Sequence, residues 1–366
     1  MKRIKILVVD TVDMDINGMT TVVMNIFRNI NLKKFSMDFV VNHHINSNIY
    51  KEITDKDARV FVLNRKKNPL CYFISLIRII RRNNYEVIHV HGNSATMAID
   101  LLAAKLSGCK KRIAHAHSTQ CTYKKMNQVL HPLFEWCCTE RLACSQKAGE
   151  WLYNCKQFTV LHNALNLEKY KLDTRKRFII REQLGLDETD CLIGHVGVIN
   201  RSKNQLFAVQ VLHHLLLQKD DNYHMVFVGK ETDEGKVYKK EIETYIIQNG
   251  LKEHVTFYGV TEDVVGVMSA MDLFLFPSLY EGLGIAMIEA QLLQLPVIAS
   301  TNVPREAKIS ECCVFIDLEQ PLGIWCEAVE RQVRSRTKYI DGGIFQKAKE
   351  CFDISGQIKV LEGIYQ

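Results

Sequence analysis

Short apolar, β-rich runs alternate with helical patterns along this chain, and the alternation stops once and then restarts. Repeated strand–helix–strand units require a parallel sheet with crossover helices on its faces, so this rhythm constrains the fold more than any single motif. In the first half the strand runs fall at 4–9, 37–41, 59–63, 87–91, 112–116, 141–143 and 158–161. Helical patterns fill the gaps, among them 19–30, 70–82 and 96–106. The stretch 166–190 breaks the rhythm. It holds Lys169, Lys171, Asp173, Arg175, Lys176, Arg177 and Asp187 and has little strand character, as expected of a linker. Strand runs resume at 191–196, 224–228, 255–257, 272–276, 296–299 and 314–317. The 366 residues have room for two such cores. The expected fold is α/β, with two Rossmann-like doubly wound domains facing across a cleft. They span 1–165 and 191–342, joined by the linker 166–190, and a C-terminal helix over 343–366 crosses back to the first domain. Open α/β sheets bind ligands at the carboxyl ends of their strands, which puts the expected site in that cleft.

A hydrophobic content of 47% against 24% charged residues is the balance of a globular chain, and no run approaches the ~20 apolar residues of a membrane span. The apolar run at the start ends at Asp10 with no small-residue cleavage site after it, and reads as a buried first strand. None of the 12 cysteines forms a C-x-x-C pair, and Cys137-Cys138 and Cys312-Cys313 are adjacent. That suits neither a zinc site nor a disulfide framework; reduced core cysteines in a reducing compartment are expected, hence a cytoplasmic protein. Residues 1–165 carry 24 Lys and Arg against 12 Asp and Glu, whereas residues 166–366 carry 23 against 29. A basic first half predicts an anionic partner there. The basic residues are spread over many elements without a recognition motif, so no nucleic-acid partner is expected.

The segment from Asp272 to Ala290 is the most informative. A buried run to Phe276 is stopped by Pro277, a loop with Glu281, Gly282 and Gly284 follows, and a helix begins near Gly284. On that helix Ile285, Ile288, Leu292 and Leu295 form an apolar stripe, and Glu289 points with it. A carboxylate in that position needs hydrogen-bond donors from the protein or from a ligand. Glu281 lies just before the helix N-terminus beside two glycines, where backbone N–H groups can hold polar or anionic ligand groups.

These residues resemble glycosyltransferase family 4, retaining two-domain enzymes of the GT-B fold, and more closely its bacterial capsular and exopolysaccharide members. The family signature, Glu-x7-Glu within P-S-x-x-E-G-x-G, matches Pro277-Ser278-Leu279-Tyr280-Glu281-Gly282-Leu283-Gly284 and Glu289-Ala290. The resemblance implies that Glu281 lies by the donor sugar, that Glu289 binds the nucleotide ribose, and that the Gly282-Leu283-Gly284 turn contacts the donor. A dinucleotide fingerprint competes for these glycines, but Met287 occupies its third position and Pro277 to Glu281 separate strand from glycines. In the loop after the run 191–196, Lys203 matches a family lysine that binds the diphosphate. The family's arginine is replaced by Val198, and Arg201 stands nearby as a substitute. In the first domain the family's glycine-rich turn is Ile16-Asn17-Gly18-Met19-Thr20, with Asn17 in place of a glycine. Asn tolerates positive φ, and Gly18 would bring backbone to the diphosphate; the alternative is a simple helix-capping Asn-Gly turn.

His89-Val90-His91 and His115-Ala116-His117 each place two imidazoles on one strand face, where a metal could in principle bind. No carboxylate lies within either pair and the family is generally metal-independent, so neither metal nor cofactor is expected. The family's active-site histidine corresponds to His117, with His115 as the alternative. The segment 65–82 is basic at both ends and apolar in the middle, which suits either a core-packed crossover helix or a helix on an anionic lipid surface. The resulting expectation is a retaining transferase moving a hexose from a nucleotide sugar, UDP favoured over GDP, to a glycan or lipid-linked glycan. It would be cytoplasmic, with a membrane surface at its inner face as a further partner. Val198 and Asn17 leave a non-catalytic sugar-nucleotide-binding subunit as the alternative, and a nicotinamide enzyme as a distant third.

Overall fold

In this computed structural model the described residues are 3–15, 17–65, 67–121, 123–154, 156–218, 222–335 and 343–366. Ile16, Lys66 and the expected domain end at 342 lie outside them. The chain divides into two units, Met1–Leu165 with Phe352–Gln366, and Asn166–Cys351.

The first unit contains β1 (Ile4–Asp10), β2 (Phe35–Asn42), β3 (Val60–Leu63), β4 (Val87–Gly92), β5 (Lys111–Ala116), β6 (Glu140–Ala143) and β7 (Thr159–Val160). They form one parallel sheet in the order β3-β2-β1-β4-β5-β6-β7. The order reverses between β1 and β4, where Asp10 stands in register with His91, and His91 in turn with His115 on β5. Asn17 is not in the positive-φ conformation its sequence allowed. Its backbone is extended, and its side chain caps the helix Gly18–Asn29 by accepting from Thr20 N–H at 3.0 Å. The expected single terminal helix is two, Ile344–Phe352 and Ile354–Tyr365. Asp353 between them is extended and bridges in parallel to Leu165. That pairing breaks the helix and seats Ile354–Tyr365 in the first unit, where Glu362 accepts from Asn31 N–H at 2.9 Å.

The second unit contains β8 (Cys191–Val196), β9 (Tyr223–Val228), β10 (Val255–Gly259), β11 (Leu273–Phe276), β12 (Val297–Ser300) and β13 (Cys313–Ile316). This parallel sheet runs β10-β9-β8-β11-β12-β13 and reverses between β8 and β11. Its core joins Ile193, Phe227, Leu273, Leu275 and Ile298 from the strands to Val209, Leu212, Ile242 and Trp325 from the helices. The stretch read as a linker carries a helix, Thr174–Gln183, that belongs to this unit. Two of its arginines explain why. Arg177 and Arg181 bind the two oxygens of Asp272 at 2.7 and 2.8 Å, at the entrance to β11, where Asp272 also accepts from Leu192 N–H. In sequence those cations look like a solvated charge run; in the fold Arg181 is buried around a buried carboxylate. The doubly wound architecture expected for each half is present in both. Every described cysteine is free, and Cys137-Cys138 and Cys312-Cys313 are buried.

Candidate active site

Topology selects the first place to look. In the second unit the loops after β8 and β11 leave the sheet on either side of the reversal in strand order, where doubly wound sheets bind ligands. Pro277 ends β11 because it offers no N–H to the ladder. The loop beyond it is tied down by Ser300 Oγ, which donates to Ser278 O, and by Leu279 N–H, which donates to Ser202 O at 2.8 Å. The second bond joins it to the β8 loop. Lys203 and Glu281 therefore meet: Nζ and Oε1 are 2.5 Å apart, and Ser278 Oγ donates to the same oxygen at 2.7 Å. The Lys203 ammonium also stands 5.2 Å from the centre of the Phe276 ring. Glu281 is 8% exposed and the Lys203 side chain 20%, so a buried carboxylate is held by a partly buried cation.

The helix Ile285–Leu292 starts from Gly284, whose φ of +92° is open to glycine and costly for other residues. No side chain caps this N-terminus. Its first N–H groups, preceded by those of Leu283 and Gly284, are a ready site for an anionic or hydroxyl-rich ligand. Glu289, one turn in, makes no ion pair among the described residues. It accepts a hydrogen bond from Tyr170 Oη at 2.6 Å. Desolvation raises its carboxyl to about 7 against the pull of the Tyr170 bond, and the tyrosine hydroxyl is itself held far above its ordinary range. At neutral pH Glu289 is thus poised between acceptor and donor. Tyr170 was missed in the sequence because it sits in the stretch read as linker; an aromatic residue in a charged run was the available signal.

His195 at the end of β8 was also missed. Burial lowers its imidazole to about 3, so it is neutral, and Nδ1 donates to Leu275 O at 2.9 Å. Nε2 is buried without a hydrogen-bond partner among the described residues. A Cβ placed on Gly197 would come within 3.5 Å of that nitrogen and 3.4 Å of Lys203 Cε, so the glycine leaves this corner open. Arg201 is elsewhere. Its guanidinium is 67% exposed and pairs with Glu241 at 2.5 Å, over the Tyr238 ring. Val198 contributes its carbonyl to Gln205 Nε2 at 3.0 Å.

In the first unit the carboxyl ends of β1, β4 and β5 carry a second polar group. His89 and His91 on β4 and His115 on β5 are fully enclosed, and His117 follows β5. His91 Nδ1 and His117 Nε2 are 2.9 Å apart, His89 Nε2 and His115 Nδ1 3.3 Å, and His89 Nδ1 meets Tyr365 Oη at 2.7 Å. Burial, reinforced for His89, His91 and His115 by neighbouring imidazoles, keeps all four neutral, with His117 lowered to about 3. Asp10 at the end of β1 is buried, Oδ2 has no hydrogen-bond partner among the described residues, and desolvation raises it to about 7. An acidic residue closing a strand run was its only trace in the sequence. Gly18 begins the helix Gly18–Asn29, and a Cβ there would meet nothing within 4 Å, so its backbone is open to approach.

The structure thus pairs Lys203 with Glu281 before the Gly282-Leu283-Gly284 turn, carries Glu289 on the helix that follows that turn with Tyr170 as its partner, leaves Arg201 in a separate exposed pair, and sets His117 and Gly18 in the first unit.

Known proteins fall on the same architecture. Residues 16–169 match the family model Glycosyltransferase Family 4 and residues 176–310 match Glycosyl transferases group 1. EpsF of Bacillus subtilis (strain 168), named as a glycosyltransferase, is 27% identical over 96% of this chain and 94% of its own. The UDP-Gal:alpha-D-GlcNAc-diphosphoundecaprenol alpha-1,3-galactosyltransferase of Escherichia coli is 26% identical over 62% of this chain and 60% of its own. Among solved structures, Anabaena HepE in complex with UDP-glucose superposes with a TM-score of 0.81 at 18% identity, covering 98% of this chain and 99% of that one.

Proposed function

Because the chain is a glycosyltransferase of the GT-B type, a family 4 domain followed by a group 1 domain, we propose that it moves a hexosyl group from a UDP-sugar to a growing, lipid-linked polysaccharide with retention at the anomeric carbon. The observation that carries this reading is the Lys203–Glu281 pair beside an uncapped helix N-terminus that also carries Glu289. Loss of a nucleoside diphosphate builds charge on its terminal phosphate, and a fixed cation with aligned backbone N–H groups stabilises that charge where it develops. Lys203 supplies the cation, with Gly18 backbone on the first unit as a further contact. Glu281 and the Gly282-Leu283-Gly284 turn hold the sugar, and Glu289 accepts the ribose hydroxyls. His117 orients the sugar near the reacting carbon. The HepE complex with UDP-glucose supports UDP as the nucleotide, and the diphosphoundecaprenol substrate of the E. coli relative supports a lipid-linked acceptor. Retention is carried by the family resemblance alone.

A lipid-linked acceptor calls for a membrane surface, and the first unit offers one. No described helix is long and apolar enough to span a bilayer. The helix Pro69–Asn83 packs inward through Tyr72, Leu76 and Ile80, so its core-packed form is realised, yet Leu70 and Ile74 stay exposed beside Arg78, Arg81 and Arg82. On the helix Lys124–Cys137, Met126, Val129 and Trp136 are exposed on one stripe with Tyr123 just before it. Apolar side chains flanked by cations suit the inner, anionic leaflet.

The test is release of free nucleotide from a panel of UDP- and GDP-sugars, with the anomeric configuration of the product read by NMR. Turnover of a UDP-sugar that is lost in Glu281→Ala and Glu289→Ala is expected. Turnover unaffected by both substitutions would remove the assigned roles, and tight UDP-sugar binding with no turnover against any acceptor would leave a binding subunit. Co-sedimentation with anionic but not neutral vesicles tests the membrane face.

A further inference from the structure

The four imidazoles of the first unit invite two uses, and their geometry separates them. His89, His91 and His115 bring ring nitrogens within 4.8 Å of one another, as a metal site would. An ion needs those nitrogens to converge on one point. Instead, His89 and His115 lie in nearly the same plane, 8° apart with centroids separated by 5.4 Å, and their facing nitrogens are 3.3 Å apart. An ion between them would sit at roughly half that distance from each, well inside the ~2.0–2.1 Å of a Zn–N bond. His91 and His117 repeat the arrangement, with an interplanar angle of 20°, centroids 5.1 Å apart and nitrogens 2.9 Å apart. The two in-plane pairs lie one against the other, His89 on His91 at 4.1 Å and His115 on His117 at 4.2 Å between centroids. This is a block of hydrogen-bonded rings held against rotation by contact on their faces.

A neutral imidazole has one donor and one acceptor, so each N···N contact couples the tautomers of its two rings. We propose that His91 is a positioning residue for His117: its Nδ1–H donates to His117 Nε2, which places the His117 proton on Nδ1 and makes His117 a hydrogen-bond donor to an oxygen of the bound sugar. The inference rests on the reading of His117 as a contact of the donor sugar. The direction of the bond follows from Asn163. Its side chain lies close enough to favour a proton on His117, while His117 Nδ1 and Asn163 Oδ1 are both buried without a full hydrogen bond. Buried polar atoms left without partners are what a ligand hydroxyl can complete. The neighbouring pair serves the same end. Tyr365 Oη on the helix Ile354–Tyr365 anchors His89, and the His89–His115 pair forms the floor on which His91 and His117 are stacked.

The experiment uses the full chain labelled with 15N and reads the His117 tautomer from imidazole NMR, beside nucleotide release from the accepted sugar nucleotide. Wild type is expected to show the proton on Nδ1. His91→Leu should give a mixture of tautomers and lower kcat by about ten- to a hundredfold, the range found when the partner that orients a metal-ligating histidine is removed. His91→Asn, whose amide can stand in for the Nδ1 donor, should restore a single tautomer and most of the rate. Three results would overturn the proposal: a wild-type proton on Nε2, His91→Leu with tautomer and kcat unchanged, or stoichiometric Zn2+ binding that shifts all four imidazoles. If His91→Leu does not fold, the wild-type tautomer decides alone. Undiminished turnover in His117→Ala would instead sink the role of His117 in the reaction, a separate failure from that of the hydrogen bond.

Discussion

The reversal of strand order falls at β8–β11 in the second unit and at β1–β4, with β5 beside it, in the first, and the strand ends there carry different electrostatics. In the second unit a lysine and a glutamate are paired at 2.5 Å and a further carboxyl is poised near neutrality. In the first, four imidazoles are stacked and uncharged, and the poised carboxyl, Asp10, has no cation paired with it among the described residues. Neither end mirrors the charge balance of the sequence, whose first half has the cationic excess. The excess lies on exposed helix positions such as Arg78, Arg81, Arg82, Lys124 and Lys125, whereas Lys203, the cation proposed to meet the diphosphate, lies in the acidic half. Net charge describes surfaces; the charge at a site is set by which few groups are removed from water and what they meet there.

The comparison breaks first at Lys203. Lys203→Met leaves Glu281 enclosed with Ser278 as its hydroxyl donor. Stability is expected to fall by about 3 kcal/mol, the cost of stranding one partner of a buried pair. Nucleotide release is expected to fall by about 10²- to 10³-fold. Glu281→Gln on top of it should recover much of the stability and none of the turnover. A double-mutant cycle with coupling near zero would mean that the pair behaves like a surface contact and the two ends are less different than they look.

Tyr170→Phe comes next. It removes the hydrogen bond to Glu289 and should cost about 1–3 kcal/mol at pH values where Glu289 is ionised, read from urea unfolding. Because the Tyr170 bond acts to lower Glu289, its midpoint should move upward from about 7 in a carboxyl 13C titration. An unchanged midpoint would show that a group other than Tyr170 sets the carboxylate.

A smaller effect links the two units. Glu289 rises from 4.5 to about 7, and Asp10 in the first unit from 3.8 to about 7, both chiefly by desolvation. An unfolded chain ionises both groups well below 7, so between about pH 4 and 7 the folded state holds more protons, and stability declines as pH rises through that window, levelling above it. Glu289→Gln and Asp10→Asn should each flatten part of the slope. Binding of UDP by an ionised Glu289 should release a proton near pH 7, measurable by calorimetry in buffers of different ionisation enthalpy.

The fold was legible because strand runs are short, apolar and bounded, and because Pro277 and the Glu281–Gly284 turn punctuate the chain at one of its reversals. Glu281, Glu289 and Lys203 were legible as residue types at fixed spacing. Their partners were not. Ser278 and Lys203 reach Glu281 from two loops, and Tyr170 reaches Glu289 across 119 residues of sequence. The histidines were visible as two strand-face pairs, but whether such pairs chelate or hydrogen-bond depends on ring planes, which spacing does not encode. The stretch 166–190 misled because Arg177 and Arg181 look solvated until Asp272 is placed between them. Asn17 was open to two readings because capping and positive φ favour the same residue, and the structure realises the cap.

The smallest expected effect is at Arg201, and it tests whether the second unit compensates for Val198. The guanidinium is two-thirds exposed and already pairs with Glu241 over the Tyr238 ring. Exposed pairs of this kind contribute about 0–1 kcal/mol, so Arg201→Ala should leave stability nearly unchanged. If Lys203 alone meets the diphosphate from this loop, the KM for the sugar nucleotide should change by about twofold or less, within that same range. For Arg201 to serve in place of the arginine that Val198 displaces, it would have to leave Glu241 when the donor binds. A KM raised more than about tenfold would then appear, corresponding to about 1.4 kcal/mol of lost donor binding, and Glu241→Gln would lower the KM by freeing the guanidinium. Those two shifts in opposite directions would make Arg201 part of the charged end of the molecule; their absence would leave the donor phosphate to one lysine and the backbone.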